Sequence, residues 1–204
     1  MNNFNLVAPV YEWLKKLVFG QTLAKAEAHF TQLIGEHDRV LIVGGGHGKI
    51  MQSLPPNCHI DYLEYSSAMI KKATKNADGR NVNFIHGDFL EVTLTQQYDW
   101  VLTNFFLDVF SSANLQLACQ KIHRLVKADG KVMVTDFSEV NHLQGRLLLW
   151  VMHTFFKLVA GLESSTIQPI RQQLQASGFE VSEEKIFSGG KVFSVIFKKV
   201  ETFQ

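Results

Sequence analysis

Val40-Leu41-Ile42-Val43-Gly44-Gly45-Gly46-His47-Gly48 is the stretch that decides the fold. Arg39 to Val43 is a continuous β-branched and aliphatic run, the pattern of a strand buried on both faces. The glycines after it let the backbone approach a ligand closely and aim the amides of the next segment at it, so the order reads strand, glycine loop, helix. Many nucleotide-type cofactors are held this way.

The glycine spacing separates the candidates. Glycines at 44, 46 and 48 give G-x-G-x-G, whereas a dinucleotide fingerprint needs glycine at position 49, where Lys49 stands. A phosphate-binding P-loop ending at Gly48-Lys49 would need glycine in place of Val43 and Ser or Thr in place of Ile50. A cofactor carrying a ribose further requires an acidic residue at the tip of the next strand, about 20 residues on. Glu64, closing Ile60-Asp61-Tyr62-Leu63, meets that requirement.

Outward from the loop, strands and helices alternate. Strands are expected at His59–Leu63, Val82–His86, Tyr98–Asn104 and Lys131–Phe137, with helices at Ser66–Asn76 and Ser111–Val126. That alternation implies βαβ units and a mostly parallel sheet covered on both faces. Upstream, helical periodicity runs from Val7 to Val18 and ends at Gly20, and a second helix spans about Leu23 to Ile34. Downstream come an apolar helix from about Leu143 to Val159 and a helix from about Ile167 to Ser177 closed by Gly178. Strands Glu180–Phe187 and Lys191–Lys198 follow, joined through Ser188-Gly189-Gly190, which reads as an antiparallel hairpin. The expectation is an α/β, doubly wound, Rossmann-like seven-stranded sheet, mostly parallel with an antiparallel C-terminal hairpin strand. It forms one domain over residues 1–204, with N-terminal helices over 1–36 covering the site and the core over 37–204.

With Glu64-Tyr65-Ser66-Ser67-Ala68-Met69-Ile70 beside the glycine loop, the chain resembles the class I methyltransferases that use S-adenosyl-L-methionine. Further matches follow in order: Gly87-Asp88-Phe89, Tyr98-Asp99-Trp100-Val101, and the turn Leu125-Val126-Lys127-Ala128-Asp129-Gly130. The resemblance covers roughly positions 39 to 137. It implies that Gly44, Gly46 and Gly48 lie under the methionine part of the cofactor, that Glu64 holds the ribose and that Tyr65 packs on the adenine. It also implies that Asp88 faces the adenine amino group with Phe89 beside it, and that Asn104 lies at the cofactor. Tyr11-Glu12 resembles the segment that opens methyltransferases of the ubiquinone and menaquinone type, which would let Tyr11 close over the cofactor. One departure stands out: the family carries Asp or Glu two residues before the first glycine, and here that residue is Ile42. The product would be S-adenosyl-L-homocysteine.

In open α/β sheets ligands bind beyond the carboxyl ends of the strands, so the methyl acceptor belongs near Thr103 to Phe110 and Asp136 to Ser138. Asn104 is followed by Phe105-Phe106 and not by Pro-Pro, so the signature of nucleic-acid and protein-glutamine amino methyltransferases is absent and a small acceptor is favoured. Asp108 and Asp136 are the catalytic candidates, ahead of His142 and His153, for taking a proton from the acceptor. The Leu147–Phe156 stretch, apolar nearly all round, favours an apolar or aromatic acceptor if it lines the pocket; a dimer contact would look the same.

Composition sets the outer bounds. A net charge of +1 without a basic patch argues against nucleic acid as a partner. Two cysteines, Cys58 and Cys119, give neither a disulfide framework nor zinc-ligand spacing, so no metal is expected and a reducing, cytoplasmic setting fits. No apolar run is long enough to span a bilayer. Two other readings stay open: a methyltransferase-like cofactor-binding or scaffold protein without turnover, which Ile42 keeps alive, and an NAD-dependent oxidoreductase, which Lys49 disfavours.

Overall fold

Apolar strands separated by helix-forming segments can hide both faces only by stacking side by side under helices, and this chain does so. The computed structural model describes residues 21–138 and 169–200. The strands are β1 Arg39–Val43, β2 His59–Glu64, β3 Val82–His86, β4 Tyr98–Asn104, β5 Val126–Phe137, β6 Phe179–Phe187 and β7 Val192–Lys199. The α-helices among these residues are α1 Thr22–Ala28, α2 Ser67–Asn76, α3 Ser112–Leu125 and α4 Ile170–Ala176. The sheet has seven strands in the order β3-β2-β1-β4-β5-β7-β6. Strands β1 to β5 are parallel, and β7 lies antiparallel between β5 and β6. This is the doubly wound architecture expected from the alternation.

Side chains alternate across the sheet and build two cores. On one face Leu41, Val43, Val101, Val132 and Val134 pack under Leu115, Ala118 and Ile122 of α3 and Leu174 of α4. On the other, Val40, Ile42, Tyr62, Trp100 and Leu102 meet Phe30, Ile34, Met51 and Ala73. After β3 the chain returns to place β4 on the far side of β1, so the order reverses between β1 and β4. The loops after these two strands border the crevice where doubly wound sheets bind ligands.

Local departures from the expectations have visible causes. The segment after the glycine loop forms a 3₁₀ helix, Lys49–Ser53, and not an α-helix. Pro55 and Pro56 stop it, because a residue before proline is pushed out of the α region and Leu54 is extended at ψ 159°. The second helix breaks into α1 and a 3₁₀ turn, Thr31–Leu33. Strand β5 starts at Val126 and pairs with Tyr98 ahead of a register shift between Tyr98 and Trp100. Gly130 permits that pairing, since a Cβ there would sit 2.8 Å from the Tyr98 carbonyl oxygen. The expected helix ending at Gly20, the apolar helix over 143–159, and Tyr11, His142 and His153 lie outside the described residues.

Candidate active site

The glycine loop turns sharply because Gly44, Gly46 and Gly48 adopt φ of 65°, 60° and 80°, a region that L side chains rarely enter. The Gly44 amide donates to the Leu63 carbonyl at 2.9 Å and the Gly48 amide to Gly45 at 3.1 Å, tying the loop to the end of β2. A Cβ on Gly48 would meet Ala73 of α2 at 2.8 Å, whereas a Cβ on Gly46 would meet nothing within 4 Å. Among the described residues the outer side of Gly46 is therefore open.

Glu64, the last residue of β2, lies directly beside that opening. Its Oε2 accepts the Gly46 amide at 3.0 Å and its Oε1 the Ser66 amide at 2.8 Å. Burial pushes its carboxyl up, and the amides of Ser66, Gly46 and Tyr65, with His86 nearby, offset part of that. The two oxygens together offer four acceptor positions, so acceptor capacity remains for a ligand beyond these amides. Sequence reading did not single out Tyr62, whose hydroxyl donates to the Gly46 carbonyl at 2.9 Å. Ile42, its register neighbour on β1, lies in the same apolar cluster.

The remaining cofactor candidates flank this loop. The Gly87 amide donates to the Glu64 carbonyl at 3.2 Å, bringing the turn after β3 to the end of β2. Tyr65 is 63% exposed next to Glu64, its carbonyl 2.9 Å from His86 Nε2. Asp88 Oδ1 accepts the Leu90 amide at 2.7 Å and so shapes its own turn. Phe89 points inward, buried and edge-on to Phe106 at 5.8 Å. A second residue absent from the sequence reading, Lys121 of α3, donates to the carbonyls of Phe89 and Val92, both at 2.5 Å, and holds the Asp88 turn from below. Burial lowers its ammonium from the ordinary lysine value.

At the carboxyl ends of β4 and β5 the chemistry changes. Phe105 is left-handed at φ 50°, which few non-glycine residues tolerate, and its amide donates to Thr135 at 2.7 Å. Past that bend Phe106 turns onto Gly44: a Cβ there would lie 2.3 Å from the ring. Asp136 is fully buried on the α3 side of β5; Oδ1 accepts the Phe137 amide at 2.9 Å and Oδ2 has no partner among the described residues. Burial and the like charge of Asp108 hold its carboxyl well above the usual range, although the amides of Phe137, Asp108 and Leu107 favour its ionised form. Asp108 itself, partly buried, is pushed up by burial to about 6. Thr103 Oγ1 and Asn104 Oδ1 are also buried without a partner among the described residues. Each such atom costs on the order of 1–3 kcal/mol unless a donor arrives.

The structure thus brings together Gly44, Gly46, Gly48 and Glu64, sets Tyr65 and Asp88 beside them, and pairs Asp108 with Asp136. Among the described residues no group of three or more His, Cys, Asp or Glu is arranged to hold a metal ion, and no helix is long and apolar enough to cross a membrane.

With that geometry in place, the comparison with protein families is decisive: the model of a methyltransferase domain matches residues 40–130, from β1 through the start of β5. The chain carries a class I methyltransferase domain, of the kind that depends on S-adenosylmethionine. This methyltransferase is 23% identical to a malonyl-[acyl-carrier protein] O-methyltransferase of Priestia megaterium over 98% of the chain and 78% of that protein. Among solved structures it resembles the mitomycin 7-O-methyltransferase, with a TM-score of 0.70 and 20% identity. That match covers 98% of the methyltransferase but only 61% of the mitomycin enzyme, which is therefore a longer protein. It also resembles an S-adenosylmethionine-dependent methyltransferase of Clostridium acetobutylicum, with a TM-score of 0.66 and 11% identity over 98% of one chain and 100% of the other. At these identities the two solved structures bear on the fold alone.

Proposed function

We propose that this methyltransferase moves the methyl group of S-adenosylmethionine onto a hydroxyl or amine of a small molecule with an apolar or aromatic body. The observation that carries this reading is the pairing of the open Gly46 cradle with Glu64. The carboxylate is fixed by backbone amides and keeps acceptor capacity toward the open side of the loop, which suits a ribose hydroxyl. Gly44, Gly46 and Gly48 would lie under the methionine part, Tyr65 and Asp88 would face the adenine, and Asn104 would complete the cofactor's surroundings.

When bound, S-adenosylmethionine supplies a sulfonium methyl whose S–C bond breaks as the acceptor's O–C or N–C bond forms, leaving the electron pair on sulfur and freeing the acceptor's proton. The chain's part is to position the nucleophile and receive that proton. Asp136 Oδ2, an acceptor atom at the end of β5 with no partner among the described residues, would take the hydrogen bond from the nucleophile. Burial and the like charge of Asp108 raise the proton affinity of Asp136, which suits a group that receives a proton. Phe105, Phe106, Phe110 and Phe137 crowd the same end of the sheet and match an aromatic acceptor. The name of the malonyl-carrier enzyme supports oxygen as the receiving atom.

Incubation with methyl-labelled S-adenosylmethionine and a metabolite extract, followed by mass spectrometry, tests this reading. Label should appear in a small compound with a hydroxyl or amine on an apolar frame. Binding of the cofactor without label transfer to any compound would return the scaffold reading, and label on highly polar compounds alone would overturn the acceptor class.

A further inference from the structure

Both polar groups of one peptide residue, Gly46, are held by side chains of β2. Glu64 accepts its amide at 3.0 Å and Tyr62 donates to its carbonyl at 2.9 Å. Tyr62 and Glu64 are two residues apart and so project from the same face of the strand. The tyrosine ring lies directly beneath the loop. A Cβ on Gly45 would sit 2.4 Å from its Cζ and 2.5 Å from its hydroxyl oxygen, so the absent side chain at 45 is what lets the hydroxyl pass to Gly46. Gly45 has no positive φ, and its requirement is one of space alone. The ring is fully buried and backed by Phe84, its register neighbour on β3, at 5.3 Å between centroids.

We infer that Tyr62 is a positioning residue for the cofactor, holding the Gly46 peptide in its ligand-ready conformation. This rests on the reading of the loop as the S-adenosylmethionine site. The loop end of β1 carries no polar side chain, since Ile42 and Val43 are aliphatic and buried, and β2 holds both polar groups of the Gly46 peptide. An ordered loop is one whose conformational freedom is already lost before the ligand arrives, so affinity depends on the clamp. A buried tyrosine hydroxyl normally finds some partner, and a purely structural role would give the same contact. The two roles separate by measurement.

Tyr62→Phe keeps the ring against Gly45 and removes only the hydroxyl. Calorimetry with S-adenosylhomocysteine should show Kd weakened roughly tenfold relative to wild type, the loss of one hydrogen bond's contribution. A structural role would lower Tm and leave Kd within twofold of wild type, and that result would overturn the inference. The phenylalanine variant should also be less than additive with Glu64→Gln, because both act on one peptide. Hydrogen exchange on the unliganded protein gives a second check. The Gly46 amide, bonded to Glu64, should be protected in wild type and exchange faster in Tyr62→Phe; equal protection would show that the tyrosine does not hold this peptide. Failure of the wild-type protein to bind S-adenosylhomocysteine would instead remove the reading on which the inference stands.

Discussion

Gly48→Ala should abolish measurable binding of S-adenosylhomocysteine and lower the melting temperature by roughly 6–12 °C, for a loss of about 3 kcal/mol in a chain of this size. Gly48 sits at φ 80°, where an alanine is strained by its backbone alone. Its Cβ would also press on the Cβ and the backbone Cα of Ala73, at 2.8 and 2.9 Å. Ala73 is fully buried in the middle of α2, so neither side can yield without moving the helix or lifting the loop. Gly46→Ala is the matched comparison. It shares the positive φ but meets nothing within 4 Å, so it should cost only the backbone term, on the order of 1–2 kcal/mol. Thermal melts and calorimetry on the two variants check this directly; equal effects would mean that the close approach to α2 is unimportant.

Asp136→Asn should reduce methyl transfer by about 10²- to 10⁴-fold, the usual worth of a positioned proton acceptor. Binding of S-adenosylhomocysteine should stay near that of wild type. The same variant should change the dependence of stability on pH. Both aspartates are raised in the folded protein, so between pH 4 and their folded values the native state holds protons that the unfolded chain has released. The contribution of this pair is then fully present below about pH 4 and is lost as pH rises through about 6 for Asp108 and through the raised value of Asp136. For Asp108 alone, the shift to about 6 corresponds to at most about 3 kcal/mol. Removing the Asp136 carboxyl should flatten this decline. Denaturant melts from pH 4 to 9 would show it, and a variant profile as steep as that of wild type would contradict the burial and pairing of the two carboxyls.

What the sequence made legible follows from how local each signal is. Strand β1, the glycine spacing and Glu64 were readable because each is fixed by chain-local geometry: a buried strand, a turn requiring positive φ and an acid at the next strand tip. The antiparallel end of the sheet was readable from Ser188-Gly189-Gly190, with φ of 53°, 62° and 95° in the structure. Tyr62 and Lys121 were not, because each acts across elements. Tyr62 serves a loop that follows a different strand, and Lys121 reaches from α3 to the turn after β3. Before the fold is known, a tyrosine within an apolar strand and a lysine on an amphipathic helix look like core and solvent face. The substitution at Ile42 pointed to a missing polar contact, but only the parallel register of β1 and β2 shows which neighbour has one. The 3₁₀ form of Lys49–Ser53 was in principle readable from Pro55-Pro56, which leaves too little chain for a full helix.

The central claim is that the Gly44–Gly48 loop and Glu64 form a site for S-adenosylmethionine, and titration calorimetry of the wild-type protein with S-adenosylhomocysteine tests it most directly. Saturable binding at one site per chain, lost in Gly48→Ala, is the expected result. A folded wild-type protein that binds neither S-adenosylhomocysteine nor S-adenosylmethionine would contradict it.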